Sequence, residues 1–396
     1  MTKFQIALIT DAPFYLDRRA IRTVSVLRGL DLSVTVIDQG LNPIESKRIG
    51  QELDCRVLSS PYPQNKVKKL FWSIRNRLFP IFSARKRDEW LAEKLEKIQP
   101  DVIHLVNPFS LQPVTEYSLR ESTPFVYEAY EYWPDLLFLR ESRIPKRLAR
   151  QISLTEKKYV GKSLACISVS PLICNWYKDL GAEKIYCLLN VGMYPFDSGQ
   201  TNTLRNKLKP TNLPKLVFSG NLTRYRNVDT LLKALAQTPN IHLKIQGCGP
   251  EKRNLEKLTC SLKLQDRVKF LPPVSFDQLH ESLSDEDVGL SLLTSDSKQT
   301  DAALPNKVFD YLDAGLALVA FKTSALATFD SIKDFAELVE PQTVEALAQA
   351  LQKLCDNPER LLQMKQAARE TAEKYNSVAQ ENLLRELYID VFRKIS

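Results

Sequence analysis

The chain has 396 residues, of which 44% are hydrophobic and 26% charged, so it is too long for one small core and we predict two globular domains of ordinary size. It has no apolar run of about 18 residues, which argues against a transmembrane helix, and its opening MTKFQIALITDAPF is typical of a strand rather than a signal peptide. We therefore expect a cytoplasmic protein. The seven cysteines form no CxxC pair, and we expect reduced, mostly buried thiols without a disulfide or metal role.

The net charge of +8 is concentrated in one segment, Lys66 to Arg87, whose sequence is KVKKLFWSIRNRLFPIFSARKR. Eight basic residues are interspersed there with large apolar side chains, and no acid interrupts them. Such a segment can bind the headgroups of an anionic membrane on the inner face of the cell, or form a helix with one solvated basic side. Both interpretations stay open at this point. No nucleic-acid-binding motif accompanies the charge, so we expect no nucleic-acid partner.

In the first half of the chain, apolar strands alternate with helix-length segments. This pattern predicts a parallel sheet covered by helices on both faces. The predicted strands are Phe4 to Ile9, Ser33 to Ile37, Arg56 to Leu58, Val102 to Val106, Phe125 to Glu128, Cys166 to Val169 and Ile185 to Leu189. A polar stretch that contains proline and asparagine, 197–214, follows them.

The same alternation starts again in the second half. The predicted strands are Lys215 to Ser219, Ile241 to Gln246, Arg267 to Leu271, Asp287 to Leu292, Leu316 to Phe321 and Ala336 to Val339. We predict an N-terminal domain over residues 1–190, a linker over 191–214, a C-terminal domain over 215–375, and a terminal helix over 376–396 that packs back toward the first domain. Ligands of such sheets bind at the carboxyl ends of the strands, and we expect them in a cleft between the domains.

Three consecutive strands of the second half end in segments suited to a nucleotide. The first is SGNLTRYRN at 219–227, which has a glycine and two arginines that can hold phosphate oxygens. The second is QGCGP at 246–250, a tight turn that is weak evidence alone. The third is VKFLPPV at 268–274, whose backbone can hydrogen-bond the edge of a base. Their regular spacing ahead of one further motif strengthens the prediction.

That motif is LPNKVFDYLDAGLALV at 304–319. Pro305 and Asn306 open a short helix, Asp310 lies one turn in, Gly315 ends the helix, and an apolar strand follows. The free backbone N–H groups and the positive end of the helix dipole suit a phosphate, and Asp310 can accept hydrogen bonds from sugar hydroxyls. Diphosphate together with ribose predicts a nucleotide-sugar ligand.

In this order, the segments GNLTRYRN, IQGCGP, RVKFLPPV, DVGLSLL and LPNKVFDYLDAGLALVA resemble the donor domain of the GT-B glycosyltransferases of family four, a large group of retaining sugar transferases. In the first half, PDVIH at 100–104 and NVG at 190–192 are similar to that family's strand motif and interdomain turn. The resemblance implies an α/β protein of GT-B fold, with two doubly wound Rossmann-like domains facing a cleft. It implies sugar transfer from a nucleotide-diphosphate donor to an acceptor hydroxyl, with retention. We expect neither a metal nor a cofactor.

The same resemblance assigns the donor site. It implies catalytic roles for Arg226, which stands at the family's diphosphate-binding lysine, and for Arg224 and Asp301. Asp301 is the acid nearest to Ala302, which occupies the first acid position of the family's Glu-x7-Glu motif. Asp310 stands at the second acid position and is expected to bind ribose. The implied donor-binding residues are Gly220, Asn221, Gly247, Gly249, Phe270, Leu271, Leu304, Pro305, Asn306, Lys307 and Asp310.

For the acceptor, the resemblance implies Arg19, His104, Glu128 and Tyr130. Arg19 belongs to a segment similar to the one after the family's first strand, and His104 is expected to end a strand. Glu128 and Tyr130 stand for the aspartate and histidine of an Asp-x-His-Glu region. A tyrosine can hydrogen-bond a sugar, but it cannot act as a base near neutral pH as histidine can.

We expect the acceptor to be a glycan or lipid-linked glycan, in bacterial polysaccharide, lipopolysaccharide or glycolipid synthesis. Two alternatives remain. One is a non-catalytic nucleotide-sugar-binding partner or regulatory subunit, which Ala302 and Tyr130 suggest. The other is a sugar-nucleotide epimerase, for which the sequence offers no identifiable acid and base pair.

Overall fold

The computed structural model describes residues 4–11, 13–38, 43–59, 80–133, 135, 146–192, 213–238 and 241–395. The chain forms two compact units, the first made of Met1–Leu188 with Glu381–Ser396 and the second of Leu189–Gln380. Most of the predicted basic segment, 66–85, lies outside the residues whose side chains are described.

The first unit contains one parallel sheet with helices on its faces. Its strands are β1 Gln5–Thr10, β2 Ser33–Asp38, β3 Arg56–Ser59, β4 Val102–Val106, β5 Phe125–Ala129, β6 Ala165–Ser168 and β7 Ile185–Cys187. They pair in the order β3-β2-β1-β4-β5-β6-β7. The helices are α1 Arg18–Gly29, α2 Pro43–Glu52, α3 Pro80–Ile98, α4 Leu111–Glu121, α5 Lys146–Tyr159 and α6 Pro171–Asp179.

The second unit contains another parallel sheet. Its strands are β8 Lys215–Ser219, β9 His242–Gln246, β10 Val268–Leu271, β11 Val288–Ser291, β12 Ala317–Phe321 and β13 Ala336–Val339, paired in the order β10-β9-β8-β11-β12-β13. The helices are α7 Val228–Gln237, α8 Lys252–Ser261, α9 Phe276–Leu283, α10 Lys298–Ala302, α11 Asn306–Asp313, α12 Ser324–Ala327, α13 Ile332–Phe335, α14 Val344–Asp356 and α15 Pro358–Lys374. Both sheets change strand order beside their first strand, which is the doubly wound arrangement.

The terminal helix, α16 (Ser377–Ile395), contributes to the core of the first unit. Leu384, Leu387, Tyr388 and Val391 are buried there against the sheet, together with residues such as Ile6. Their spacing places them on one stripe of the helix, which is the arrangement expected of a helix packed on one side. The first unit therefore depends on residues from both ends of the chain.

Every strand predicted from the sequence is present, with ends that agree within two residues. The predicted α/β class with two doubly wound sheets is therefore confirmed. The central strands are mostly buried, and in β12 every residue is buried, which explains their continuous apolar sequence. The edge strands β3, β7, β10 and β13 are partly exposed. Among the described residues, no helix combines the length and apolar character needed to span a membrane. The seven cysteines are free, but only Cys166 and Cys174 are buried, so the prediction that most are buried is wrong.

One buried acid in the first unit couples its stability to pH. Glu156 on α5 is fully buried, and its Oε1 accepts hydrogen bonds from the hydroxyls of Tyr127, at 2.9 Å, and Tyr177, at 2.7 Å. Burial raises the pKa of Glu156 to about 7, although the two hydroxyls act in the opposite direction. The folded chain therefore holds a proton on this carboxyl at pH values where the unfolded chain has released it.

We predict that the unfolding free energy of the first unit falls as the pH rises from about 4.5 to about 7 through this group, by on the order of 3 kcal/mol. Glu156→Gln keeps the shape and removes the titration, so its unfolding free energy relative to wild type should increase with pH over the same range. Urea unfolding followed by tryptophan fluorescence measures this, because all four tryptophans belong to the first unit. A difference between variant and wild type that does not change with pH would contradict the assignment.

Candidate active site

The carboxyl ends of β8, β9 and β10 lie side by side in the second sheet, and the loops that follow them stay paired beyond the strands. The backbone N–H of Gly220 donates to the carbonyl of Gln246 at 3.0 Å, and that of Gly247 donates to the carbonyl of Leu271 at 3.0 Å. The segments predicted to hold the donor are therefore joined by main-chain hydrogen bonds. This pairing fixes their positions relative to one another.

The glycines of the second loop allow this close approach. A Cβ atom at Gly247 would overlap the carbonyl oxygen of Gly220, and one at Gly249 would overlap the carbonyl oxygen of Leu222. Backbone oxygens cannot move aside as a flexible side chain can, so only glycine fits at these positions. The GxG pattern, weak evidence in the sequence, thus has a definite packing reason.

The predicted helix after β11 is present as α11, with Pro305 at its N-cap and Gly315 just past its end. Gly315 has a φ of 69°, the left-handed conformation that glycine adopts at a helix terminus. Leu304 is buried, whereas Asn306 is exposed and its side-chain oxygen accepts a hydrogen bond from Asn190. The helix predicted to open at Pro305 and Asn306 and to end at Gly315 is therefore present.

Lys307, in the first turn of α11, carries a buried ammonium group. Its Nζ lies 3.6 Å from the centroid of the Phe218 ring and, within the described part of the chain, has no hydrogen-bond acceptor. Burial and the charge of Arg226 lower its pKa well below the ordinary value, and the carboxylate of Asp310 only partly opposes them. The Lys307 Nζ lies beside Gly220, and an anion bound there would favour the charged form of this amine.

The other predicted donor-site residues are placed as follows. Arg224 is exposed in the short turn Arg224–Arg226. The carboxylate of Asp301 accepts a hydrogen bond from the backbone N–H of Ser324 at 2.8 Å and so holds the start of α12. Asn221 is exposed, and Phe270 packs against the core from the edge strand β10. Arg226 and Asp310 interact electrostatically with Lys307, as described above.

Two residues that support this site were missed in the sequence. Tyr311 of α11 is fully buried, and its hydroxyl accepts from the N–H of Ser219 at 3.0 Å and donates to the carbonyl of Leu290 at 3.3 Å. A Cβ atom at Gly289 would overlap the Tyr311 ring. The isolated glycine inside strand β11 was the available signal, because such a glycine often marks a close approach.

In the first unit, the predicted acceptor residues lie together around the N-terminus of α1. The guanidinium of Arg19 lies 3.2 Å from the centroid of the Tyr130 ring, and the Tyr130 hydroxyl donates to Asp17 at 3.2 Å. Asp17 also caps α1 through the N–H groups of Arg19 and Ala20. Burial and the charge of Asp17 raise the pKa of Tyr130 well above its ordinary value, so the phenol stays neutral at physiological pH.

His104 and Glu128 form the buried part of the same cluster. His104 lies in the middle of β4, so the prediction that it ends a strand is wrong. Its Nε2 lies 2.8 Å from Glu128 Oε2 and its Nδ1 lies 2.5 Å from the hydroxyl of Tyr388. Burial by itself would raise the pKa of Glu128, but the His104 hydrogen bond and the charges of Arg19 and Arg22 lower it below the ordinary value. The cluster is thus paired largely within itself.

The donor loops and α11 fall within one recognised family. Residues 200–371 match the family model described as glycosyl transferases, group 1. The chain carries a group 1 glycosyl transferase domain. The glycosyltransferase resemblance of its donor motifs is therefore confirmed, since the match spans all of them.

Two curated relatives are similar to parts of the chain. An uncharacterized glycosyltransferase of Haemophilus influenzae is 35% identical over 184 residues, which is 44% of this chain and 49% of that protein. A putative colanic acid biosynthesis glycosyl transferase of Escherichia coli, WcaI, is 29% identical over 197 residues, which is 48% of this chain and 46% of that protein. The chain thus spans about half the length of the curated relatives it matches.

Solved structures of the same fold extend the likeness to nearly the whole chain. Sucrose-phosphate synthase from Thermosynechococcus elongatus has a TM-score of 0.73 at 17% identity, covering 99% of this chain and 100% of the other. Anabaena Alr3699/HepE in complex with UDP has a TM-score of 0.69 at 14% identity, covering 98% of this chain and 100% of the other. At such identities the likeness shows the fold, and the group 1 domain is thus part of a GT-B chain.

We predict that Tyr311→Phe destabilises the second unit by about 1–3 kcal/mol, because the Ser219 N–H and the Leu290 carbonyl lose their partner. The turn that precedes Gly220 loosens as a result, so the rise in melting temperature caused by UDP should also shrink. Thermal unfolding with and without UDP measures both effects. Tyr375→Phe, the same deletion at a hydroxyl that bonds Asp330 on the surface, is the matched control. Equal behaviour of the two variants would contradict the role given to Tyr311.

Proposed function

We propose that this protein is a glycosyltransferase that moves a sugar from a nucleotide-diphosphate donor to an acceptor hydroxyl, with retention at the anomeric carbon. The observation that carries the proposal is the buried Lys307 Nζ in the first turn of α11, which has no hydrogen-bond acceptor among the described residues and has Arg226 close enough to lower its pKa. The match to group 1 of the glycosyl transferases and the likeness to a protein solved with UDP support it. Cations and backbone N–H groups of this kind bind a diphosphate.

The chemistry follows from where charge develops. When the glycosidic bond to phosphate breaks, negative charge grows on the departing diphosphate, and preorganised cations and N–H groups stabilise it. Lys307 and Arg226 supply the cations, and the first turn of α11 supplies the N–H groups. Because Lys307 is already dehydrated in the folded chain, its attraction to an anion is weakened little by water. Asp310 accepts the ribose hydroxyls, and Arg224 adds charge from the exposed turn.

The non-catalytic alternative is less favoured. It was suggested by Ala302, where an acid would contact the donor sugar, and by Tyr130, which cannot act as a base. Neither residue is among the groups that interact with Lys307. In our proposal those groups bind the leaving diphosphate and not the sugar. A protein that only binds a nucleotide-sugar would release no sugar to water, whereas a competent transferase hydrolyses some donor in the absence of acceptor.

We predict that Lys307→Met weakens UDP binding by about tenfold to a hundredfold, as expected for the loss of a charge-assisted hydrogen bond. The same change should leave the unliganded chain at least as stable as wild type, because it removes a buried amino group that has no hydrogen-bond acceptor among the described residues. Arg226→Ala should lower turnover by about two to three orders of magnitude. Titration calorimetry with UDP and donor-hydrolysis rates provide the two measurements.

The exposed residues Lys333 and Arg253 of the same unit give matched controls as Lys333→Met and Arg253→Ala. Both should behave as wild type. Wild-type affinity for UDP in Lys307→Met, or unchanged turnover in Arg226→Ala, would remove that residue from the donor site.

The donor and the stereochemistry are tested together. A thermal-shift screen against UDP-, GDP- and ADP-sugars identifies the donor, since tight binding raises the melting temperature by mass action.

We expect hydrolysis of that donor to continue in EDTA, because protein cations neutralise the diphosphate. We also expect NMR spectra to show that the sugar released first keeps the donor's anomeric configuration. Loss of activity in EDTA would refute metal independence, an inverted product would refute retention, and binding without hydrolysis would favour the non-catalytic alternative.

The acceptor is proposed to be a glycan or lipid-linked glycan of bacterial polysaccharide, lipopolysaccharide or glycolipid synthesis. The partial likeness to a putative colanic acid transferase supports this class.

We further propose that the basic segment Lys66 to Arg87 holds the cytoplasmic protein on the inner face of the membrane. Co-sedimentation with liposomes should increase with the anionic lipid fraction and fall with salt. Binding that is indifferent to anionic lipid would refute membrane attachment and leave the transferase proposal intact.

A further inference from the structure

Two cysteine side chains of the first unit lie in contact between α6 and β7. Cys174 is in the first turn of α6, and Cys187 is the last residue of β7. The Cys174 thiol donates a hydrogen bond to the sulfur of Cys187. Its Sγ also lies 4.0 Å from the backbone oxygen of Tyr186, the residue that precedes Cys187. The two sulfurs therefore face each other across neighbouring elements.

The other five cysteines are not arranged in this way. Cys166 is buried inside β6, and its Sγ lies 3.9 Å from the backbone oxygen of Ile167. Cys248 and Cys260 are exposed. Among the described residues, which include all seven cysteines, no other two thiols share a hydrogen bond. The pair of Cys174 and Cys187 is thus set apart by its contact.

One member of the pair is open to small solutes. Strand β7 is at one end of the strand order of the first sheet, and each of its three residues is partly exposed. Cys187 belongs to this edge strand and is half-buried, whereas Cys174 is 8% exposed. A small solute that approaches the edge of the sheet therefore meets Cys187 before Cys174.

The hydrogen bond between the two sulfurs gives them different reactivity. The S–H of Cys174 stabilises a thiolate on Cys187 and lowers the pKa of Cys187, although burial opposes this. The same hydrogen bond, together with burial, raises the pKa of Cys174. Because the thiolate is the nucleophilic form of cysteine, Cys187 is the first of the two to react. Cys174 is then in place to attack the product.

We propose that Cys187 and Cys174 form a reversible oxidation site, at which a peroxide links α6 to β7 through a disulfide. The Cys187 thiolate attacks one oxygen of the peroxide, the O–O bond breaks, hydroxide leaves, and Cys187 becomes a sulfenic acid. The sulfur of Cys174 then attacks the Cys187 sulfur, the S–O bond breaks, and the released hydroxide takes the Cys174 proton as water. Two thiols lose two electrons, and hydrogen peroxide becomes two water molecules.

The inference is independent of the proposed transferase function. It also departs from the sequence-based expectation that no cysteine has a disulfide role, for two of the seven cysteines. Disulfides of cytoplasmic proteins are usually transient and respond to oxidants, and a partly exposed pair on an edge strand fits that behaviour. A dithiol reductant should restore both thiols by exchange.

The test uses the full chain and hydrogen peroxide at a concentration close to that of the protein. Free thiols are then blocked with N-ethylmaleimide in denaturant, and tryptic peptides are analysed by mass spectrometry. We expect a cross-link between the peptides that contain Cys174 and Cys187, which dithiothreitol cleaves. Because Cys166 lies in the same tryptic peptide as Cys174, the bond is assigned from fragment ions and from Cys166→Ala, which should keep the cross-link.

Serine variants separate the roles of the two thiols. Cys174→Ser keeps a hydrogen-bond donor but cannot form the disulfide, so the sulfenic acid of Cys187 should accumulate and be captured by dimedone. Cys187→Ser should slow the oxidation of Cys174 by at least about tenfold, since a buried thiol is a poor nucleophile. Cys260→Ser, which removes an exposed thiol on α8, is the matched control and should form the disulfide as wild type does.

Three results would overturn the inference: Cys174 and Cys187 stay reduced while Cys248 and Cys260 are oxidised, the cross-link joins Cys187 to Cys166, or Cys187 of the Cys174→Ser variant gives no dimedone adduct. None of these measurements depends on UDP or on sugar release. Failure of the oxidation site therefore leaves the transferase proposal standing, and failure of the transferase proposal leaves the oxidation site standing.

Discussion

Parallel pairing is the constraint on which the rest of this structure depends. In a parallel sheet all strands end at the same edge, so segments that are far apart in sequence meet there. In the second unit this edge joins the loops after β8, β9 and β10 to the start of α11. In the first unit it brings Asp11, from the loop after β1, and Trp133, from the loop after β5, to Phe109. Each edge is assembled by the topology, and its chemistry is decided by which residues occupy the loops.

The two edges balance charge in different ways. The acceptor-side cluster pairs Glu128 with His104 and places Arg19 over Tyr130, so its buried charges largely compensate one another. At the edge of the second sheet, the Lys307 Nζ is buried on the Phe218 ring and has no hydrogen-bond acceptor among the described residues. An uncompensated buried charge reduces folding stability, and it is retained where binding an opposite charge returns that free energy. The difference supports the anion site that we propose at Lys307.

The sequence was sufficient for the strands because fully buried parallel strands require continuous apolar runs. That requirement is local, and it identified β12 and its neighbours within two residues. It was also sufficient for α11, since Pro305 and Gly315 mark the two ends of a helix by their backbone preferences alone. His104 was misplaced for a related reason. A polar histidine at the end of an apolar run suggests the end of a strand. In the structure His104 lies in mid-strand because Glu128 and Tyr388, from distant parts of the chain, are hydrogen-bond partners of its two ring nitrogens.

The candidate sites were less predictable, because what distinguishes them is whether a buried polar atom has a hydrogen-bond partner in the folded chain. Lys307 was named from a motif, but only the structure describes an ammonium buried on Phe218 without an acceptor among the described residues. Cys174 and Cys187 form no motif at all, since no recognised spacing separates them. They stand out only when the hydrogen bonds of each side chain are traced, and those bonds depend on neighbours that local sequence patterns do not contain.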